Sequence, residues 1–483
     1  MLKAFAKDSV VYAVPAVFSR GLAVLLIPLY TRVLAPAEYG SLDLLLVFAS
    51  LVKLTVALEV SQAVARFYAA ERDPARKSAY ASTSLWFTLA AYSLFALLAL
   101  WQSERLAALV MGREGMERAF GIGVLYIWVS GHFYLIQNQL RWELRSVQYA
   151  IASALMAAVT AASALVLLYG FAAGLDGLLA GMTLGAAVGA AYGASRLRGV
   201  FGLRFDAGAL REMLTFSAPL VPSAIAVFVS TFADRIMINL FVSVDAVGIY
   251  GVGFRVAGIV GLVMVGVQGA LTPLVYTHYR DPATPATIAR IFRVFVGVAL
   301  CLSLSLVLFA GDVLAFIAPP AYGSAAPVIA LLVPSILLAQ MHVFTPGIAI
   351  AKRTHLILAI TALGASANVV LNWLLIPRLG IDGAALATLL ANAVAFAAYV
   401  LVSQRLYRVP HEAWRLLGAL GTVLAIALVR SRVPAADAAG IALDVGAIAA
   451  AIAVVIAFGL VRRAEAHALL GALRSKLAAL RPR

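Results

Sequence analysis

Two long apolar runs lie close together in the middle of the chain, in residues 215–256: TFSAPLVPSAIAVFVSTFADRIMINLFVSVDAVGIYGVGFRV. The runs predict helices over residues 215–241 and 247–274. Each is longer than the about 20 apolar residues that a helix needs to cross a bilayer. The stretch therefore predicts two consecutive membrane spans.

The composition of the whole chain agrees with a membrane protein. Of the 483 residues, 63% are hydrophobic and only 12% are Asp, Glu, Lys or Arg, whereas a soluble domain has about 45–50% apolar and about 25% charged residues. A soluble chain this apolar would lack the polar groups to cover its surface, and lipid removes that requirement. The single cysteine, Cys301, excludes an internal disulfide and a cysteine-based metal site.

Apolar segments recur along the chain and predict an all-α polytopic membrane protein with about fourteen transmembrane helices. The first segment contains Pro15 and Arg20 and stays apolar through Tyr30, so we interpret it as a membrane helix and not as a cleaved signal. The predicted spans cover residues 9–31, 41–64, 80–101, 118–139, 147–169, 174–195, 215–241, 247–274, 288–311, 325–350, 355–376, 381–403, 413–430 and 441–461.

The basic residues are divided unevenly between the two sides of this arrangement. Of 37 Lys and Arg residues, 26 fall in the termini and the loops on their side, 7 fall in the opposite loops and 4 lie inside spans. Cytoplasmic loops of membrane proteins are enriched in Lys and Arg. We therefore expect a protein of the bacterial inner membrane with both termini in the cytoplasm. The basic tail, residues 462–483, is either an amphipathic helix on the anionic leaflet or a solvated end.

Short motifs repeat at a nearly constant offset, which indicates an internal duplication. Gly174-Leu175-Asp176-Gly177 recurs 206 residues later as Gly380-Ile381-Asp382-Gly383, and Gln62 and Gln268 have the same separation. Several matches in one register predict two six-helix lobes. Because six is even, the copies have the same orientation, with a pseudo-two-fold axis along the membrane normal. The predicted division is residues 1–200 and 201–408 for the lobes, 409–461 for two additional spans and 462–483 for the tail.

The residues of three stretches resemble a known family. The opening YAVPAVFSRGLAVLLIPLYTRVLAPAEYGSLDLLLVF, the stretch 215–256 and the segment ANVVLNWLLIPRLGIDGAALATLL are similar to the polysaccharide-export branch of the multidrug/oligosaccharidyl-lipid/polysaccharide exporter superfamily. The resemblance covers nearly the whole chain. It implies two lobes that face a central cleft and a flippase that moves an undecaprenyl-diphosphate-linked oligosaccharide from the cytoplasmic to the outer leaflet by alternating access. It does not imply which sugar chain is moved.

Besides Arg235, three cations lie inside the predicted spans. Arg20, Lys53 and Arg255 fall in spans one, two and eight. A charge in the middle of a bilayer costs at least about 2.5–3.5 kcal/mol on insertion scales, so such a residue is expected to face a cavity or a partner. Arg binds phosphate oxygens in bidentate fashion and Lys acts as a point charge. We expect the three to bind the diphosphate, while pairing with Glu59 or Asp43, or extension of the side chain to the membrane interface, is the structural alternative.

Other polar residues within the spans are candidates for the cavity or for coupling. Glu59 either titrates or pairs with a cation, and Asp234 and Arg235 have either a local structural role or a contact with cargo. His342 is a candidate for a proton-linked switch, because histidine titrates near neutral pH, or a packing residue. Gln137 and Asn138 in span four either bind sugar hydroxyls or connect helices. Aromatic residues such as Tyr30 and Tyr134 either stack on sugars or anchor the chain at the membrane interface. These roles stay open at the level of the sequence.

Two other functions are weighed against the flippase. A cation-coupled multidrug antiporter of the same superfamily commonly needs an acid in the first or seventh span, where this chain has Arg20 and Asp234, respectively. A membrane-embedded glycan polymerase or ligase usually needs a large outward loop, and the predicted loops are short. Motifs for nucleotide, metal or serine chemistry are absent from the sequence, so no enzymatic activity and no cofactor are predicted. The expected partners are the polyprenyl-diphosphate-linked glycan, membrane lipids and a glycan polymerase or glycosyltransferases, without nucleic acid.

Overall fold

The computed structural model describes residues 21–22, 25–433 and 437–462, and these residues are almost entirely helical. Within them no strand forms, apart from one isolated bridge between Arg198 and Phe201. The helices are α1 (Pro36–Thr55), α2 (Val60–Ala70), α3 (Pro74–Trp101), α4 (Ser103–Met111), α5 (Glu117–Trp142), α6 (Ser146–Leu165), α7 (Gly174–Arg196), α8 (Ala207–Ser217), α9 (Val221–Phe241), α10 (Val244–Ala257), α11 (Gly261–His278), α12 (Thr284–Leu308), α13 (Ala310–Ile317), α14 (Ala325–Gln340), α15 (Gly347–Ile350), α16 (Thr354–Leu406), α17 (Ala413–Ser431) and α18 (Asp437–Ala457).

The membrane-spanning character of the chain is confirmed. In the part of the chain that the structure describes, 11 helical stretches are long and apolar enough to cross a membrane, or up to 12 if the bent pair α1 and α2 is one span. The number fourteen itself stays a prediction, because most of the first predicted span lies outside the described residues. The predicted spans 355–376 and 381–403 both lie within α16, which consists of two helices that meet at a kink at Gly380, where the backbone is not helical (φ 58°, ψ −135°).

The chain divides into two compact units. Of the described residues, unit 1 contains those up to Val256 together with Phe316–Ala325 and Asn368–Ala384, and unit 2 contains Ala257–Ala315, Ala326–Ala367 and those from Ala385 onward. The lobe boundaries expected from the repeat stay a prediction. Both repeated Gly-x-Asp-Gly motifs begin with left-handed backbone, since φ is 50° at Gly174 and 58° at Gly380, a conformation that glycine adopts without steric cost.

Close helix packing in unit 1 depends on small residues. A methyl group at Gly185 of α7 would lie 2.0 Å from Thr160 Oγ1 of α6. A methyl group at Gly40 of α1 would lie 1.9 Å from the carbonyl oxygen of Val244, and one at Gly248 of α10 would lie 2.0 Å from that of Pro36. Small residues allow backbones to approach closely where lipid removes the hydrophobic drive for helix association. The first turns of α1 and α10 therefore touch backbone to backbone.

The second predicted span is broken. Leu58 and Glu59 both have left-handed backbone, with φ of 48° and 53°, and the axes of α1 and α2 differ by 45°. Such backbone is uncommon for residues other than glycine and indicates local strain. The break follows one turn after Lys53, which lies in the last turn of α1.

In unit 2, α17 and α18 pack against α12. Buried Ala419, Val455 and Leu460 form an apolar cluster with the partly buried Cys301. The side chains of Arg430 and Asp444 connect α17 and α18 with an Nε–Oδ1 distance of 2.7 Å. Cys301 therefore acts as a small apolar side chain in a helix interface.

Candidate functional site

A cavity of about 490 Å³ lies in unit 1. Its walls are mostly aromatic and aliphatic, with a few neutral polar groups and two cations. Among the described residues that line it there is no carboxylate. The lining comprises Lys53 and Arg255; Tyr30, Tyr39, Tyr126, Phe133, Tyr134 and Tyr149; Ser130, Gln137, Ser153 and Thr160; and Leu22, Leu26, Leu42, Leu46, Met156, Ala157, Leu178 and Met182.

Lys53 enters the cavity from the last turn of α1. Its residue is exposed although it lies in a membrane-spanning segment, and its Nζ lies 5.0 Å from the centroid of the Tyr134 ring. Throughout the described residues, no carboxylate oxygen lies within 4.0 Å of this nitrogen. A cation over an aromatic face is stabilised by about 0.5–2 kcal/mol. Lys53 is therefore held by an aromatic ring and keeps its ammonium available to a ligand.

Arg255 enters the same cavity from α10, and its guanidinium is held on two sides. Nη2 donates a hydrogen bond of 2.5 Å to Asp43 Oδ1, and the guanidinium carbon lies 5.0 Å from the centroid of the Tyr39 ring. Nη1 is buried and has no hydrogen-bond partner in the described part of the chain. A buried N–H group without a partner costs roughly 1–3 kcal/mol, more when it is charged. Arg255 thus lines the cavity and carries a fixed donor that is buried and has no partner.

Arg255 also belongs to a network of buried charges that connects α1, α9 and α10. Asp43 accepts a second hydrogen bond from Arg235 Nε at 3.1 Å. Arg235 Nη1 donates to Asp234 Oδ1 at 3.0 Å, and the Tyr250 hydroxyl donates to Asp234 Oδ2 at 2.6 Å. The four charged side chains balance in sign, which is what a site removed from water requires.

Phenyl and phenol rings enclose Arg235 as well. Its guanidinium carbon lies 4.3 Å from the centroid of the Phe254 ring and 5.6 Å from that of Tyr250. Arg235 does not line the cavity, so its hydrogen bond fixes Asp43 without reaching the cavity wall. The network thereby fixes the position of the one member that does face the cavity, Arg255.

The residues predicted for diphosphate binding are partly brought together. Lys53 and Arg255 line one cavity, and Gln137 lines it too, where its Nε2 donates to Ser153 Oγ at 2.7 Å. Arg20 lies outside the described residues. The assignment of these side chains to a ligand stays a prediction, and the pairing of Arg255 with Asp43, the structural alternative, coexists with its place at the cavity.

The remaining candidates lie elsewhere. Asn138 donates to Ser61 Oγ at 3.2 Å in a buried contact that joins α5 to α2. Glu59 forms the N-cap position of α2 at the break, without a side-chain cap hydrogen bond. Asp234 and Arg235 belong to the buried network, and His342 lies in unit 2 in a 3₁₀ turn, Met341–Phe344.

The aromatic wall was only partly predicted. Tyr30 and Tyr134 are candidates for sugar stacking at the level of the sequence, whereas Tyr126 and Tyr149 are not. Tyr126, Ser130, Phe133, Tyr134 and Gln137 all line the cavity from α5, and their spacing of four, seven, eight and eleven residues from the first places them on one helical face. This stripe of polar and aromatic residues in an apolar span is the sequence pattern that would have predicted the aromatic wall of the cavity.

Sequence comparison links the chain to one family. A sequence model described as "Polysaccharide biosynthesis protein" matches residues 5–277, which is more than half of the chain. No curated protein matches the sequence.

Solved structures with similar folds belong to flippases and transporters. A structure described as lipid II flippase MurJ in an inward closed conformation has a TM-score of 0.70 and 13% identity, with 92% of this chain and 98% of that chain covered. An inward-facing multidrug resistance MATE family transporter of the MOP superfamily has a TM-score of 0.65 and 16% identity, with 82% and 97% covered. A MOP superfamily transporter from Pyrococcus furiosus, whose binding pocket is described as having reverse polarity, has a TM-score of 0.59 and 16% identity, with 83% and 95% covered. At these identities the likeness concerns the fold.

Proposed function

Because the chain belongs to the polysaccharide biosynthesis protein family, we propose that it is a flippase for an undecaprenyl-diphosphate-linked oligosaccharide. It transfers the lipid-linked repeat unit from the cytoplasmic to the outer leaflet of the bacterial inner membrane by alternating access. Both termini lie in the cytoplasm, and the chain performs no chemistry on its cargo. Enzymes of glycan assembly, either a polymerase or glycosyltransferases, supply or consume this cargo.

The observation that supports the proposal is the charge pattern of the cavity in unit 1. Two cations line it, and no carboxylate of a described residue does. A diphosphate carries negative charge and many acceptor oxygens, and it needs N–H donors when it leaves water. The guanidinium of Arg255 and the ammonium of Lys53 are such donors, and both residues line the cavity.

The pairing of Arg255 with Asp43 supports this role. Because Nη2 and the Tyr39 ring fix one side of the guanidinium, the free side is oriented before a ligand arrives. A preorganised donor loses little side-chain entropy on binding. Lys53, on a flexible stem over Tyr134, can follow a phosphate as the cavity changes shape. One rigid donor and one mobile donor suit a ligand that must be bound and then released.

The tyrosine-rich wall suits the remainder of the headgroup. The phenol rings of Tyr30, Tyr126, Tyr134 and Tyr149 combine an apolar face with a polar edge. Sugar rings combine C–H surfaces with hydroxyl groups in the same way. Arg20 is proposed as a third cation for the diphosphate, in line with its position inside the first span.

A multidrug antiporter is the nearest alternative, because MATE transporters share the fold. The cavity in unit 1 argues against it. A cationic drug entering this cavity would meet Lys53 and Arg255 before any carboxylate, since Asp43 is buried behind Arg255. The coupling roles predicted for Glu59 and His342 apply to either transporter and stay predictions.

The proposal is tested by transport in reconstituted vesicles. A fluorescent undecaprenyl-diphosphate-linked oligosaccharide is placed in the inner leaflet, and its arrival outside is followed by binding to an added lectin. The variant with both Lys53→Met and Arg255→Gln is expected to lose transport by at least about a hundredfold, because two charged hydrogen bonds worth roughly 1.5–3 kcal/mol each are removed.

Lys77→Met is the matched control. The Lys77 ammonium lies 5.2 Å from the Tyr68 ring, as that of Lys53 does from Tyr134, but Lys77 does not line the cavity. It should transport at the wild-type rate. Wild-type transport by the double variant, or export of ethidium with no movement of the lipid-linked glycan, would overturn the proposal.

A further inference from the structure

A second cavity, of about 310 Å³, lies in unit 2. It is formed by side chains of α11, the turn Met341–Phe344, the segment through α15 and the two ends of α16 that belong to unit 2. No Asp, Glu, Lys or Arg of the described residues lines it. The function proposed above uses none of these side chains for the diphosphate, so the cavity needs an explanation of its own.

Two polar side chains of α11 face this cavity without using their hydrogen-bonding groups. Gln268 and Thr272 are one helical turn apart and both line the cavity, and neither forms a hydrogen bond to another described residue. They lie in a helix of the membrane-spanning segment Val244–His278. Polar side chains at this depth normally pair with neighbouring helices. Two that instead face a cavity indicate a polar occupant.

Aromatic rings form another part of the wall of the same cavity. The rings of His342 and Tyr399 lie 5.6 Å apart between centroids, with an angle of 33° between their planes. The His342 ring is fixed by a contact of 3.2 Å between Nδ1 and the carbonyl oxygen of Ala339. Tyr276 continues the stripe of Gln268 and Thr272 one turn further along α11. The occupant therefore meets aromatic faces as well as amide and hydroxyl groups.

The chemistry of these groups narrows the class of ligand. The Gln268 amide and the Thr272 hydroxyl each donate and accept hydrogen bonds, which matches a ligand whose groups also do both. The absence of charged lining among the described residues disfavours a phosphate and a metal cation, and an acyl chain would leave the amide without a partner. Sugars have hydroxyl groups that donate and accept, and C–H faces that pack on aromatic rings. The volume is at the small end of the roughly 300–1,000 Å³ typical of ligand pockets, which suits a short part of a glycan.

We propose that the cavity lined by Gln268, Thr272, His342 and Tyr399 is a binding site for an uncharged hexose or N-acetylhexosamine unit of the cargo. The proposal rests on the function proposed above. It adds to it a site that recognises the sugar separately from the diphosphate. Specificity for one glycan over another then resides in unit 2.

The test compares ligands that differ only in the sugar. The full chain is placed in nanodiscs of phosphatidylcholine, because a detergent with a sugar headgroup would compete for the site. Binding is measured for undecaprenyl diphosphate alone and for the same lipid carrying glucose, galactose or N-acetylglucosamine. At least one sugar is expected to raise the affinity of the wild-type chain.

The double variant Gln268→Leu with Thr272→Val keeps the volumes of the side chains and removes their hydrogen bonds. It should lose the gain due to the sugar, by about tenfold, and bind bare undecaprenyl diphosphate as the wild type does. The matched control is Gln340→Leu with Thr277→Val, two positions of unit 2 that do not line the cavity, and it should retain the gain. Tyr399→Phe should also retain the gain, whereas Tyr399→Ala should reduce it.

Three results would overturn the inference: no gain from any of the sugars, a gain of unchanged size in the cavity variant, or equal losses in the cavity and control variants. The result is separate from the test of the flippase itself. If Lys53→Met and Arg255→Gln abolish transport while the sugar gives no gain, the proposed function stands and the second site falls.

Discussion

Arg255 and Asp43 are separated by 212 residues in sequence, and their side chains meet at 2.5 Å between Nη2 and Oδ1. The pair connects α10 to α1 and places one guanidinium at a cavity. Asp43 has a side-chain exposure of 6%, and it also accepts from Arg235. Because one carboxylate pairs with the buried Arg235 and the partly buried Arg255, its charge is required by both.

Removing that charge should destabilise the protein. In Asp43→Asn, the buried guanidinium of Arg235 and the partly buried guanidinium of Arg255 lose their common anion, and breaking a buried pair typically costs about 3–5 kcal/mol. The thermal midpoint of the solubilised chain should fall by several degrees. Asp176→Asn is the control, because Asp176 pairs with Arg118, whose side chain is 87% exposed, and exposed pairs contribute about 0–1 kcal/mol. Equal midpoints for the two variants would contradict this account.

Gly40→Ala should force α1 and α10 apart. The new methyl group would lie 1.9 Å from the Val244 carbonyl oxygen, so the backbones must separate, and overpacking typically costs about 1–3 kcal/mol. Gly121→Ala in α5 serves for comparison, since its methyl group would meet only Leu100 Cδ2 at 3.7 Å. That variant should keep or slightly raise the thermal midpoint, because alanine favours helix over glycine by about 1 kcal/mol. An unchanged midpoint in Gly40→Ala would show that the contact between the two helices is loose.

Exchanging the two cations of the first cavity should have unequal effects. Arg255 donates to Asp43 with Nη2 and has a second terminal nitrogen, Nη1, without a hydrogen-bond partner among the described residues, whereas a lysine has a single nitrogen. Arg255→Lys should therefore slow vesicle transport by roughly tenfold or more. Lys53→Arg should stay within about twofold of the wild type, because the Lys53 ammonium forms no ion pair within 4.0 Å among the described residues and contacts the Tyr134 ring, which a guanidinium can also contact. Equal losses in the two variants would mean that net charge alone matters.

Acid should weaken the fold through His411. Burial lowers the pKa of His411 to about 4, whereas an unfolded histidine has a pKa of about 6.5. Between these values the unfolded chain binds a proton that the folded chain does not, so stability falls as the pH is lowered from about 6.5 to 4, by about 3 kcal/mol in total. The ring packs edge-on against Phe292 with 4.7 Å between centroids.

His411→Gln should remove that part of the pH dependence, which is measured as the difference in thermal midpoint between pH 7 and pH 5. His355→Gln, at an exposed position of α16, should retain the wild-type dependence. If His411→Gln retains it as well, the loss of stability in acid originates elsewhere in the chain.

The helices were predictable because each apolar run has about the length, roughly 20 residues, that a helix needs to cross a bilayer. The predicted span 118–139 lies within α5 and 174–195 within α7, and both follow from hydrophobicity alone. The break at Leu58 and Glu59 was not predictable, because neither residue is a glycine or proline and their left-handed backbone depends on the surrounding structure. Gly380, by contrast, was singled out from the sequence, because its Gly-x-Asp-Gly motif repeats the one that begins at Gly174.

Individual residues of the site were predictable from the sequence, whereas the contacts between their side chains were not. An intramembrane cation indicates a cavity, which is how Lys53 and Arg255 were found. The partnership of Asp43 with Arg235 and Arg255 spans 192 and 212 residues, and no local pattern encodes such pairings. Tyr126 and Tyr149 were missed because an aromatic residue in a span is equally typical of packing and of interfacial anchoring.

The 45° break after α1 has an electrostatic consequence for Lys53. Peptide dipoles add along a helix and leave roughly half a negative elementary charge at its carboxyl end. Because α1 stops at Thr55, that end lies within one turn of the ammonium. In a straight, unbroken span, the carboxyl end of the helix would lie farther from Lys53, near the membrane surface. The carboxyl end of the interrupted helix thus stabilises the Lys53 ammonium by its partial negative charge. A carboxylate in the same place would compete with an anionic ligand for the lysine.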